Sequence, residues 1–132
     1  MYPAALKHYD QVRRVTQNGR DLEAEVLEKA ALRLQQCRDR WGEKEQGDRL
    51  HAALKYNQRI WTVFQAELEK VENPLPEALK IDLLRLSLFI DRRTLEILAE
   101  PKPEKLTILI EINRNIAAGL RSRPLSEKAA AA

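Results

Sequence analysis

Leu50, Leu54, Asn57, Trp61, Phe64, Leu68 and Val71 follow one another at intervals of 4, 3, 4, 3, 4 and 3 residues. Only an α-helix returns side chains to one face at that period; a strand would send successive ones to opposite faces. The row is a heptad-like seam, apolar at every position except Asn57. A face so regular must be covered by other helices, and this requirement limits the chain to a bundle.

The remaining sequence supplies the neighbours. No window alternates apolar and polar residues long enough for a strand. A short helix is expected over Ala4 to Val15, with Tyr2, Ala5, Tyr9 and Val12 along one side, ended by Gln17-Asn18-Gly19. Asn18 and Asp21 suit a capping box for a second helix to about Arg40, with Leu27, Ala30, Ala31, Leu34, Cys37 and Trp41 on one face. Gly42 suits the left-handed residue that closes a helix, and Asp48 a cap for the seam helix. Asn73-Pro74-Leu75-Pro76 ends that helix, because each proline turns its predecessor away from helical angles. Pro76 fits the first position of a fourth helix, with Glu77 at its positive end.

That fourth helix is the most apolar. Leu79, Leu83, Leu86 and Ile90 form one row, while Ile81, Leu84, Leu88, Phe89 and Leu95 occupy other sides. A helix apolar nearly all round is expected at the centre, covered by neighbours or by a partner. Pro101 and Pro103 precede a fifth helix carrying Leu106, Leu109, Ile112, Ile116 and Leu120. The expected fold is all-α: a small bundle of about five helices forming one domain over 1–121, then a mobile tail over 122–132.

Composition narrows the function classes. With 44% hydrophobic residues, the 132-residue chain can fill one core. It has no apolar run of the roughly 18 residues a membrane span needs. Met1 to Gln11 does not resemble a secretory leader, and a cytoplasmic, non-membrane protein is expected. Cys37 is the only cysteine, which rules out an internal disulfide and a cysteine-cluster zinc site. His8 and His51 stand apart, and the glycines are too scattered to cradle a phosphate. No enzyme, metal or cofactor is expected.

Net charge is +3, with the bases gathered toward the ends. Arg13-Arg14, Arg20, Arg92-Arg93, Arg121 and Arg123 could meet phosphates. However, Trp41 and Trp61 lie on apolar stripes instead of being interleaved with those bases, which disfavours RNA contact. Asn57 and Asn113 each interrupt an apolar row. Each is read as an amide hydrogen-bonded inside the bundle or as a polar anchor in a groove for another helix, with the first favoured.

Four segments stand out: Tyr56-Asn57-Gln58-Arg59-Ile60-Trp61-Thr62-Val63-Phe64, Asn73-Pro74-Leu75-Pro76, Leu84-Arg85-Leu86-Ser87-Leu88-Phe89-Ile90, and Leu109 through Leu120. Together they resemble the flagellar biosynthesis regulator FlaF family of alphaproteobacteria. Met1-Tyr2 and Arg20 to Leu34 are similar as well. Gly19 departs from the proline the family favours at a helix start, and the loop Trp41 to Gly47 is idiosyncratic.

The resemblance implies an all-helical cytoplasmic protein needed for flagellin production and export, acting with flagellin and alongside a regulator of flagellin mRNA. The expected function is a flagellin-binding export chaperone and positive regulator of flagellin synthesis. The alternatives are a post-transcriptional regulator acting on flagellin mRNA or on its repressor protein, and a helix-swapped homodimer. The residues expected to meet a helical segment of flagellin are Asn57, Arg59, Trp61, Phe64, Leu86, Ile90, Asn113 and Ile116. The expected helix over 4–15 would serve as a movable cover.

Overall fold

A computed structural model describes residues 19–122. Four α-helices follow in order: α1 (Gly19–Asp39), α2 (Gln46–Glu69), α3 (Glu77–Ala99) and α4 (Thr107–Ser122), with a 3-10 turn over Pro103–Leu106 leading into α4. Among the described residues there is no strand, and the chain is all-α as its periodicity requires. The expected helix over 4–15, the Asn18 cap and the tail after Ser122 lie outside the described residues.

The centre belongs to α1 and α4. On α1, Ala24, Leu27, Ala30, Ala31 and Leu34 are fully buried, with Cys37 at the end of the same stripe. Alanines at this spacing present a shallow surface, so α4 can lie close and bury Leu109, Ile110 and Ala117 against it. Each fully buried leucine or isoleucine contributes roughly 1.5–3 kcal/mol relative to exposure. On α2, the seam buries Leu50, Leu54, Asn57, Trp61 and Leu68, with Ala53 and Ile60 beside it. Val71 falls past the helix end and is 96% exposed.

The joints explain these limits. The Asn73 amide donates to the Glu67 carbonyl (3.0 Å), while its oxygen accepts from the Leu75 N–H (3.1 Å). One side chain therefore satisfies the end of α2 and shapes the turn into α3. Pro76 occupies the cap of α3, one position earlier than expected, and Glu77 lies in the first turn. Gly42, three residues past the end of α1, is left-handed at φ 89°.

The expected Asp48 cap is corrected: α2 begins at Gln46, Asp48 lies within its first turn, and the cap position is Glu45 at φ 63° with no side-chain bond. The loop closes instead through its own contacts. The Gln46 side chain accepts from the Gly42 N–H, and Arg49 donates to the Lys44 carbonyl. These contacts hold the chain in position for α2 to start early.

The largest correction concerns α3, the helix expected at the centre. It packs mainly on α2 and buries only Ser87, Ile90, Thr94 and Ile97. A hydrophobic period identifies an apolar face but not which neighbour covers it. Here the alanine-lined α1 and α4 take the interior and leave α3 at the edge.

Cys37 is buried on α1, and burial pushes its thiol pKa up against the opposing pull of the Arg49 and Arg40 charges. A neutral, enclosed thiol is a poor nucleophile. Native protein should therefore react with Ellman's reagent roughly a hundredfold more slowly than urea-unfolded protein, since reaction waits on opening of the core. Equal rates would mean that α1 does not enclose this position.

Candidate functional site

The side chains expected to meet a partner separate into three groups. The first is buried and polar. Trp61 Nε1 donates to Asn113 Oδ1 at 2.9 Å, and Asn113 Nδ2 donates to Asn57 Oδ1 at 2.7 Å. All three residues are almost completely buried, on α2 and α4. The two asparagines that interrupt apolar rows thus face each other across the helix interface. An amide pair in a dry interior is strongly position-dependent, so it fixes the register of α4 on α2.

The second group lines a cleft at the end of the bundle where α1 begins. Trp61 and Phe64 from α2, Leu75 from the linker, Leu83 from α3, and Ile116 and Leu120 from α4 supply apolar walls, with Glu23 and Glu67 among the polar residues. The rings of Trp61 and Phe64 meet edge to face at 5.7 Å between centroids. The cleft encloses about 100 Å³, room for one side chain but not for a helix.

The third group does not converge. Leu86 is half-buried and Ile90 fully buried, both packed with the core on the inner side of α3, and Arg59 is exposed on α2.

A more extensive apolar surface lies on the opposite side of α3. Ile81, Leu84, Leu88, Asp91, Leu95 and Leu98 succeed one another at 3, 4, 3, 4 and 3 residues, a heptad row with one polar member. Ile81 is 40% exposed, Leu88 57%, Leu95 64% and Leu98 45%; Leu84 and Asp91 are half-buried. Meanwhile the inner side of the helix buries the hydroxyls of Ser87 and Thr94, and Thr94 Oγ1 satisfies itself on the Ile90 carbonyl at 2.7 Å. A helix that buries hydroxyls and exposes four large aliphatics carries a face suited to another molecule.

Ile81, Leu84, Leu88 and Leu95, expected on several sides of the helix, lie together on one. Their 3-4 spacing, the same signal that revealed the seam of α2, would have found the row.

Among the described residues no helix is long and apolar enough to cross a membrane, and no three His, Cys, Asp or Glu side chains gather to hold a metal. Fold and surface together define a small α-helical protein with an exposed row of aliphatic side chains along one helix. The chain belongs to the flagellar protein FlaF family, whose model matches residues 5–120. A role in flagellar biogenesis follows from that membership. No curated protein and no solved structure matches the chain.

Proposed function

We propose that this protein is a cytoplasmic flagellin-binding export chaperone and a positive regulator of flagellin synthesis, with the outer row of α3 as its principal docking face. No catalytic step is part of this function. The observation that carries the reading is the exposed heptad row from Ile81 to Leu98, in a chain whose family is flagellar. Flagellin must be kept from polymerising before export, and masking one of its amphipathic helices would do so by helix-on-helix recognition.

The row runs for about five turns of helix, the length that mode of recognition uses. Three or four aliphatic anchors, each contributing roughly 1.5–3 kcal/mol on burial, suffice for micromolar affinity after the costs of association. Regulation follows by mass action: flagellin held by the chaperone is withdrawn from whatever feedback limits its synthesis.

The reading is tested by size-exclusion chromatography of purified monomeric flagellin with this protein. At about 10 μM each, well above a Kd near 1 μM, co-elution is expected. Separate elution at that concentration would end the proposal.

A further inference from the structure

The outer row of α3 is flanked unequally. In heptad terms Ile81, Leu88 and Leu95 occupy one core position, and Leu84, Asp91 and Leu98 the other. Arg85 and Arg92 each follow the second position by one residue, so they stand seven apart along the same open flank. On the opposite flank the equivalent positions are Lys80, Ser87 and Thr94, of which Ser87 and Thr94 are turned into the bundle and buried. Arg85 and Arg92 are exposed and make no ion pair with a described residue. Asp91 sits within the row, half-buried and likewise unpaired among the described residues.

We infer that the occupant of this face is an amphipathic helix of a partner protein with carboxylates along the edge that meets Arg85 and Arg92, and with a cation or amide opposite Asp91. The inference rests on the reading of α3 as the docking face and adds the partner's charge pattern.

The charges argue against a second copy of this chain. Parallel pairing would set Asp91 against Asp91 in an apolar seam and offer the arginines only Lys80, Ser87 and Thr94. Antiparallel pairing would set the arginine flanks against each other. They also argue against the chain's own N-terminal residues 1–18, which carry Lys7, Arg13 and Arg14 against a single acid, Asp10. An acidic-edged helix gains attraction where each of those meets repulsion, and such complementarity selects partners more than it adds raw affinity.

The test uses two fluorescein-labelled helical peptides of about 20 residues with the same leucine heptad row and one lysine in that row. One peptide has glutamates at the flanking positions and the other lysines. Each is titrated with the full chain at about 50 mM salt, where surface charges are weakly screened. The glutamate peptide is expected to bind about tenfold more tightly, the sum of two attractions against two repulsions. The double variant R85E/R92E, changed only at exposed positions, is expected to reverse the order.

Equal affinities, an order that R85E/R92E leaves unchanged, or no binding of either peptide would overturn the inference. Sedimentation of the chain alone as a dimer would assign the face to a second copy and overturn it equally. Co-elution with flagellin is a separate measurement, so failure of the charge pattern and failure of the docking face remain distinguishable.

Discussion

Replacing Asn113 with alanine is expected to lower the unfolding free energy by roughly 2–6 kcal/mol, because the change strands two buried groups at once. Trp61 Nε1 loses its acceptor and Asn57 Oδ1 loses its donor, both in a region closed to water. Each orphaned group costs about 1–3 kcal/mol, a large share of the 5–15 kcal/mol that usually holds a domain folded.

Asn57 is the end of the chain of bonds, and its Nδ2 has no partner of its own. Asn57→Ala therefore strands only the Asn113 amide donor and is expected to cost about half as much. Urea titration of the two variants, with an unchanged dependence on denaturant, checks this order. A loss below about 1 kcal/mol for Asn113→Ala, or a larger loss for Asn57→Ala, would show that the amide pair does not join α2 to α4 in solution.

Much of this arrangement is legible in the residue order. The 3-4 spacing from Leu50 to Leu68 gives α2, the alanine-rich stripe from Ala24 to Cys37 gives a face of α1, and the prolines at 74, 76, 101 and 103 mark the breaks. The two asparagines also stand out as interruptions of apolar rows. Their pairing does not, because they are 56 residues apart and meet only once helix packing sets the register. The early start of α2 was hidden for a similar reason, since the contacts of Gln46 and Arg49 within the loop outweigh the capping preference of Asp48.

The position of α3 shows the limit of hydrophobic counting. Its sequence is apolar nearly all round, which reads as central, yet its inner side buries only Ser87, Ile90, Thr94 and Ile97. Alanine at 24, 30, 31 and 117 lets α1 and α4 pack more closely, so they form the interior. The apolar positions of α3 are thus divided. Ile90 and Ile97 face inward, and Leu88, Leu95 and Leu98 face out. Of the residues expected at the partner site, Asn57, Trp61, Ile90 and Asn113 lie inside, because the periodicity that marks a contact face marks a core face equally well.

The central claim, that the outer row of α3 docks flagellin, is tested most directly by Leu88→Glu. Leu88 stands near the middle of the row and is 57% exposed, so the fold should tolerate the change within about 0.5 kcal/mol. In a complex the new carboxylate would lie inside an apolar interface with no cation built to meet it, and the loss of a central anchor typically costs about 2–3 kcal/mol. Gln36→Glu, on the exposed side of α1, makes the same change in charge away from the row. Flagellin affinity measured by titration calorimetry is expected to fall roughly 30- to 150-fold for Leu88→Glu and to stay at the wild-type value for Gln36→Glu. Wild-type affinity in Leu88→Glu, or an equal loss in both variants, would contradict the account.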